Sequence, residues 1–277
     1  MKSIFWHTVL FSALVLNSCT GVQKNDDATG LAPPVYSTGW YMREELSSKY
    51  ITYSKKEDVP LFPEKKGGGP KLEFFVDMLD ILDGEERKLL QQNLYDGLSC
   101  QDYAEKVYNR VKDEYEKIKD DSTGKPGAVN NWSYIETFDG AVYPSLLVIS
   151  RRFYNYTGGA HGQNEKTFFV LDKKLLSKVA LNGILQAEAG KSLQTQIDDA
   201  LRSRYHAVPG APLTSVGFLN DTAGVPQNFF VSREGLGFCW NPYEIAPYSM
   251  GTLEVVLPYA QVETLLNDRG REIFKDL

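Results

Sequence analysis

Histidine and cysteine are scarce in this chain of 277 residues, which has three of each. Their spacing matches no zinc-binding pattern, so we predict no metal site and no cofactor. The sequence also lacks the G-x-S-x-G segment of a serine-hydrolase elbow. Its glycine run at 67–69 is not followed by the lysine and serine or threonine of a phosphate-binding loop. These absences argue against zinc enzymes, elbow-type serine hydrolases and P-loop proteins.

Positive charge is also in short supply. The chain has 30 Lys and Arg residues against 36 Asp and Glu residues, a net charge of −6. It has no arginine-rich stripe, so we expect no nucleic-acid partner. An acidic surface suits a basic partner, and the alternative is that the charge only aids solubility. The apolar stretch at 4–16 is too short to span a bilayer as a stable helix, and no further segment is predicted to cross a membrane.

The N-terminus has the parts of a bacterial lipoprotein signal. Lys2 supplies a positive charge, and the apolar stretch at 4–16 is the right length for a signal-peptide core. Residues 16–19, Leu-Asn-Ser-Cys, fit a lipobox at its aliphatic, small and cysteine positions. We therefore predict a signal peptide over 1–18 and a lipid anchor on Cys19. The alternative is an ordinary signal peptide followed by a chance cysteine.

Residues 19–38 are polar, lack apolar periodicity and are expected to form a flexible tether. Thr20, rather than Asp, follows Cys19, which favours the outer membrane of a Gram-negative bacterium. We therefore place the protein in the cell envelope, held to the membrane by its lipid. Beyond the tether we predict an N-terminal α+β subdomain over 39–130 and a C-terminal one over 131–277, sharing a sheet or a core.

Periods of about two and about 3.6 residues alternate along the rest of the chain and predict strands and helices. Strands are expected at 39–53, 71–82, 132–138, 141–156, 166–171, 228–232, 235–240 and 251–257. Helices are expected at 85–98, 101–119, 175–185, 187–206 and 259–266. Asp139-Gly140 is a two-residue turn signal that would join two of the strands in a hairpin. The pattern indicates an α+β fold with a largely antiparallel sheet packed against several helices.

Cys100 and Cys239 remain once Cys19 carries the lipid. Outside the cytoplasm two such cysteines can form a disulfide. They can equally remain as two buried thiols, since free cysteine is among the most buried residue types. Sequence alone leaves both alternatives open.

Two segments carry a family resemblance. Residues 154–162 read Tyr-Asn-Tyr-Thr-Gly-Gly-Ala-His-Gly, and residues 235–248 read Gly-Leu-Gly-Phe-Cys-Trp-Asn-Pro-Tyr-Glu-Ile-Ala-Pro-Tyr. Together they resemble the two signatures of the RsiV-like sensor domain, which is named for the anti-sigma-V factor and is a domain of unknown function. The resemblance spans about residues 40–270. Trp240 stands where a tyrosine is more usual.

The resemblance implies an α+β fold outside the membrane. In the anti-sigma factor this region binds lysozyme, and binding exposes that protein to proteolysis that releases a sigma factor. The present sequence has no recognisable sigma-binding segment, and we expect lipidation to replace the transmembrane helix. We therefore expect only the recognition role to carry over. The ligand would be a protein such as lysozyme or a cell-wall glycan.

His161 and Glu244 are the candidate catalytic residues if the protein is an enzyme. His161 follows two glycines in a sharp bend, and Glu244 is the best carboxylate to orient its ring. The pair would make the protein a cell-envelope hydrolase. The alternative, which we favour, is that His161 caps a turn and Glu244 satisfies the turn at 241–243.

Aromatic residues in the two signatures suggest a binding surface, because tyrosine and tryptophan are enriched at interfaces. They could equally form a core between the signatures. The predicted binding residues are Tyr154, Tyr156, Gly158, Gly159, His161, Trp240, Tyr243, Glu244 and Tyr248, with Phe238 as a further aromatic of the run.

Overall fold

The computed structural model describes residues 50–61, 69–81, 84–121 and 130–277. The predicted signal peptide, Cys19, the tether and the first part of the strand at 39–53 lie outside these residues. Within the described residues, no helix is long and apolar enough to cross a membrane.

The described part contains strands and helices in mixed order. The strands are β1 (Tyr50–Pro60), β2 (Lys71–Ile81), β3 (Trp132–Val142), β4 (Leu146–Tyr156), β5 (Gln163–Asp172), β6 (Ser177–Lys178), β7 (Phe229–Ser232), β8 (Gly235–Trp240) and β9 (Leu253–Pro258). The α-helices are α1 (Gly84–Leu94), α2 (Cys100–Asp121), α3 (Ala189–Arg204), α4 (Tyr259–Val262) and α5 (Asp268–Lys275). Short 3-10 turns lie at Leu181–Gly183, Leu213–Val216, Tyr248–Met250 and Glu263–Leu265.

The strands form two sheets. The larger sheet has the order β1-β2-β3-β4-β5-β6, and its neighbours are antiparallel except for the parallel pair β2 and β3. A parallel pair needs a crossover connection, and α1 and α2 lie in that connection. The smaller sheet, β7-β8-β9, is antiparallel throughout. The predicted α+β fold with a largely antiparallel sheet and several helices is confirmed.

Two hydrophobic cores lie on opposite faces of the larger sheet. Leu147 and Ile149 of β4 pack in the core that contains α1 and α2. Leu146 and Val148 of the same strand pack in the core formed with α3 and the smaller sheet. Successive side chains of a strand point to opposite faces, so β4 contributes alternately to both cores.

The predicted hairpin turn at Asp139-Gly140 is wrong. Both residues lie inside β3, where Gly140 is paired with Ile149 of β4. A Cβ on Gly140 would lie 2.5 Å from the Ile149 Cδ1 atom, so the glycine makes room for a cross-strand side chain. The chain turns after β3 instead, where the Tyr143 N–H donates to the Leu146 carbonyl at 2.9 Å.

The predicted helix at 175–185 is also wrong over most of its length. The short strand β6 lies there, and the Val179 N–H donates to the Val170 carbonyl of β5 at 2.7 Å. Pairing with the sheet edge therefore overrides the local helical pattern. The sequence also failed to predict α5, whose N-terminal cap is Asn267, with a side chain that accepts a hydrogen bond from the Gly270 N–H.

Asparagine side chains join the smaller sheet to the edge of β5. The Asn228 side chain accepts from the Phe168 N–H at 2.8 Å and donates to the Lys166 carbonyl at 2.7 Å. The Asn241 side chain accepts from the Lys166 N–H at 2.6 Å. These amides take the place of a neighbouring strand along β5. They also fix the segment after β8, where the second signature turns.

Candidate functional site

The first signature forms a bend after β4 in which the glycines are needed for geometry. Gly158 and Gly159 have φ values of 107° and 99°, which other residues rarely adopt. Gly162 lies so close to the Tyr154 ring that a Cβ would be 2.4 Å from it. The Tyr156 hydroxyl donates to the Gly159 carbonyl at 3.0 Å. Two tyrosines of β4 therefore hold the bend in place.

The second signature leaves β8 through a tight turn at residues 241–244. Pro242 occupies the second position, Tyr243 the third, and the Glu244 N–H donates to the Asn241 carbonyl at 3.1 Å. Tyr243 has a φ of 73°. This is the pattern of a type II turn, in which the third position normally needs glycine or asparagine. Here the position is occupied by a bulky aromatic residue, and Tyr243 remains 59% exposed.

The two signatures meet at a surface formed by His161, Tyr243 and Tyr248, which we call the aromatic cluster. The rings of His161 and Tyr248 are stacked, with centroids 3.8 Å apart and an interplanar angle of 19°. His161 Nε2 lies 3.3 Å from the Tyr243 hydroxyl, and its Nδ1 lies 3.0 Å from the Gly162 carbonyl oxygen. His161 and Tyr243 are exposed. The cluster therefore offers two ring systems to solvent.

His161 and Glu244 are not joined by a hydrogen bond among the described residues. The Glu244 carboxylate accepts from the Asn241 N–H at 2.9 Å, across its own turn. The polar contacts of His161 go to Gly162 and Tyr243. The Glu244 carboxylate therefore stabilises its own turn and does not orient the His161 ring.

The other predicted aromatic residues separate into two roles. Phe238 and Trp240 are 0% and 2% exposed and belong to the core of the smaller sheet. Tyr154 and Tyr156 are half-buried beside the bend. The structure therefore brings part of the predicted binding set to the surface and places the β8 residues inside.

A cleft of about 790 Å³ lies next to the aromatic cluster. Its floor is formed by β3, β4 and β5, and its wall by the segment from Pro242 into β9. The lining residues are Ile135, Thr137, Arg152, Phe153, Tyr154, Asn164, Glu165, Lys166, Pro242, Tyr248, Ser249, Met250, Gly251, Thr252 and Glu254. Tyr248 belongs to both the cleft and the aromatic cluster, so the two features are continuous.

Arg152 lines this cleft, but the sequence did not identify it as a site residue. Its side chain is exposed and makes no hydrogen bond or ion pair with any described residue. Lys166, directly across from it on β5, is paired with Glu254 at 2.6 Å. The available signal was the Arg151-Arg152 pair, whose members must point to opposite faces of a strand.

Glu136 marks the opposite face of the same strands. It is fully buried and forms an ion pair with Arg151. The hydroxyls of Tyr103 and Tyr134 donate to its carboxylate at 3.3 and 3.0 Å. Burial, followed by the nearby Glu136 charge, raises the pKa of both tyrosines well above the usual value. Sequence reasoning missed this network, although a glutamate at an inward position of β3 was a usable signal.

Both described cysteines are free and buried. Cys100 belongs to the helix-side core and Cys239 to the core of the smaller sheet, so the disulfide alternative does not hold. Burial raises the pKa of the Cys100 thiol to about 12, and it raises the pKa of Cys239 as well. Across residues 50–61, 69–81, 84–121 and 130–277, no cluster of three His, Cys, Asp or Glu residues could hold a metal ion.

The fold and its surface site define a two-sheet α+β domain with an exposed aromatic cluster. Residues 164–260 match the family model described as "Protein of unknown function (DUF3298)". This match begins in β5 and includes the second signature. No curated protein matches the sequence.

Two solved structures are similar to the chain in fold. A member of the DUF3298 family from Bacteroides fragilis NCTC 9343 has a TM-score of 0.71 and 21% identity, covering 82% of this chain and 96% of its own. A DUF3298 family protein from Pseudomonas aeruginosa PAO1 has a TM-score of 0.55 and 15% identity, covering 79% of this chain and 94% of its own. Residues 164–260 are thus similar to the DUF3298 family of unknown function, and the chain resembles two structures of that family in fold.

Proposed function

We propose that the protein is a lipid-anchored recognition module of the RsiV-like type, attached through Cys19 in the cell envelope. The aromatic cluster would bind a protein such as lysozyme, or a cell-wall glycan, outside the cytoplasm. The lipobox at 16–19 supports the anchor, and the two signatures that meet at the cluster support the RsiV-like interpretation. The net charge of −6 favours a basic protein among the possible partners.

The exposed ring of Tyr243 is the observation that carries this proposal. A non-glycine residue held at positive φ costs about 1–3 kcal/mol, and such strain concentrates at functional sites. Burial of the ring does not offset this cost, because Tyr243 is 59% exposed. Tyrosine offers a large, rigid contact area with a polar end, which suits recognition of proteins and sugars.

Hydrolysis by His161 and Glu244 is the second candidate that the sequence raised. A catalytic histidine is commonly oriented by a carboxylate within about 3.2 Å. Because the Glu244 carboxylate is bonded to its own turn, the geometry favours recognition over hydrolysis.

Calorimetry tests the recognition proposal directly. The whole chain in detergent is titrated with a lysozyme and, separately, with soluble cell-wall glycan fragments. We expect binding at micromolar affinity or tighter to one of them, and a loss of about tenfold or more for Tyr243→Gly, as for an exposed hot-spot aromatic.

Leu176→Gly is the matched control for that variant. Leu176 is also a large residue at positive φ, with φ of 49° and 40% exposure, in a turn after β5. Its replacement should leave the affinity unchanged. Absence of binding by the wild-type chain, or equal affinity of Tyr243→Gly, would contradict the proposal.

A further inference from the structure

The cleft beside the aromatic cluster contains an arginine, Arg152, that has no hydrogen-bond or ion-pair partner among the described residues. We propose that this cleft binds a saccharide that carries a carboxylate, with Arg152 as the anchor for the carboxylate. The inference rests on the proposed recognition function and names the class of ligand that the site takes.

The charges around the cleft leave Arg152 uncompensated. Lys166 and Glu254 neutralise each other in an ion pair whose side chains are each 12% exposed. Glu165 pairs with Phe153 across β4 and β5, and Phe153 packs on the helix-side core. By strand alternation the Glu165 side chain therefore points away from the Arg152 face. Among the charged side chains on this face of β4 and β5, Arg152 is therefore the one that has no partner among the described residues.

A carboxylate is the group that matches this guanidinium. Arginine presents a planar fork of N–H donors, and a carboxylate accepts two of them in parallel. All the donors of Arg152 are open, since it bonds to no described residue. The neighbouring Arg151 is held on the opposite face by buried Glu136. The Arg151–Glu136 ion pair helps to fix β4, so Arg152 projects from a rigid strand.

The floor of the cleft favours recognition by side chains. The backbone groups between β3, β4 and β5 at the floor pair these strands with each other. The outer edge of β5 at Lys166 and Phe168 is occupied by the side chains of Asn228 and Asn241. A peptide therefore has no free strand edge there to extend. A ligand with many hydroxyl groups can instead bond to side chains on the floor and wall. The hydroxyl and amide side chains of the lining are Thr137, Asn164, Ser249 and Thr252.

Tyrosine rings complete a saccharide site. Tyr154 and Tyr248 both line the cleft, and Tyr248 is fixed by its stacking on His161 and by a hydrogen bond from Asn164 at 2.9 Å. Such amphipathic rings can pack against the apolar face of a sugar. The volume of about 790 Å³ lies within the range of roughly 300–1,000 Å³ typical of small-ligand sites.

Two tetrasaccharides of equal length test the inference. One alternates N-acetylglucosamine with N-acetylmuramic acid, which adds a lactyl carboxylate to the same sugar. The other contains N-acetylglucosamine alone. Titration of the whole chain should show at least about tenfold tighter binding of the carboxylated chain. Arg152→Gln should abolish this difference, and Arg152→Lys should retain part of it, because lysine keeps the charge but loses the fork.

Arg110→Gln is the matched control. Arg110 is an exposed arginine of α2, so the variant removes the same charge away from the cleft. It should keep the wild-type preference. Thermal unfolding of each variant shows whether the fold is intact. Arg152→Gln is expected to melt at the wild-type temperature, because the Arg152 side chain bonds to nothing in the described part of the chain.

Several outcomes would overturn the inference. These are equal affinity for the two tetrasaccharides, a preference that survives in Arg152→Gln, and equally tight binding of an N-acetylated dipeptide with a free carboxylate. If a lysozyme binds in a manner that depends on Tyr243 and neither tetrasaccharide binds, the saccharide inference fails and the recognition function stands. If no protein or glycan binds, both are overturned.

Discussion

Tyr243 shows how one residue can be unfavourable for the fold and still be present. A left-handed backbone costs a non-glycine residue about 1–3 kcal/mol, and glycine does not incur this cost. Replacing a tyrosine by glycine elsewhere would lower stability by loss of packing and by greater freedom of the unfolded chain. At this position the ring is exposed and the backbone is already in the conformation that glycine prefers.

We therefore predict that Tyr243→Gly does not lower the free energy of unfolding and raises it by up to about 1 kcal/mol. Urea unfolding followed by far-UV circular dichroism measures this. The same variant is expected to lose ligand affinity, so stability and binding should move in opposite directions. A loss of more than about 1 kcal/mol would show that the ring stabilises the fold through His161 and Tyr248.

At the scale of elements, the edge of β5 is bonded by asparagine side chains, and Asn228 makes two of these bonds while Asn241 makes a third. Asn228 supplies both an acceptor for the Phe168 N–H and a donor for the Lys166 carbonyl. Asn228→Ala would leave both backbone groups without these partners, and each buried unsatisfied group costs about 1–3 kcal/mol. We expect the variant to lose about 2–4 kcal/mol of unfolding free energy, measured by urea titration.

Asn228→Asp separates the two bonds of this bridge. The carboxylate can still accept from Phe168, but it cannot donate to Lys166. Asn228→Asp should therefore be less stable than the wild type. Its loss of stability should not exceed that of Asn228→Ala. Wild-type stability of Asn228→Ala would mean that the two Asn228 hydrogen bonds contribute nothing measurable to stability.

The elements that the sequence predicted well are those with strong local periodicity. Helices α1 and α2 and strand β2 fall within a few residues of the predicted bounds. Local sequence patterns gave wrong predictions where contacts with residues distant in sequence determine the secondary structure. Gly140 follows an aspartate, as in a hairpin turn, but it lies within a strand and leaves room for the Ile149 side chain. Val179 lies in a helical pattern, yet it pairs with β5.

The candidate site was predictable in part, because some of its residues lie in recognisable sequence motifs. His161, Tyr243 and Tyr248 lie in signatures that a sequence displays directly. Their meeting depends on how the smaller sheet packs against β5, which the sequence does not show. The role that we propose for Arg152 depends on the pairing of Lys166 with Glu254, which leaves Arg152 without a partner within the described residues.

At the scale of the whole molecule, the two cores each hold a protonated thiol. Burial, with a smaller contribution from nearby carboxylates, raises the pKa of the Cys100 thiol from 9.0 to about 12. The pKa of Cys239 is raised for the same reasons. In the unfolded chain both thiols ionise near pH 9. Between about pH 9 and pH 12 the folded state therefore binds more protons than the unfolded state.

The sign of the pH dependence follows from this difference in bound protons. Where the folded state holds the extra proton, the free energy of unfolding falls as pH rises, by up to about 1.4 kcal/mol per pH unit and thiol. The stability from the protonated thiols is complete below pH 9 and is lost as pH rises toward 12. Tyr134, whose pKa is also raised by burial, adds to the loss above pH 10.

We predict that urea-unfolding stability is nearly flat from about pH 7 to 8.5 and then declines steeply. The double variant Cys100→Ala, Cys239→Ala creates small cavities and should start lower. Its decline between pH 9 and 10 should nevertheless be shallower than that of the wild type, by up to about 2 kcal/mol over that unit when both thiols ionise only on unfolding, because they are half ionised in the unfolded chain at pH 9. The slope is informative because cavities change stability equally at every pH. Parallel declines in the two proteins would mean that the thiols ionise in the folded state and that the tyrosines alone drive alkaline unfolding.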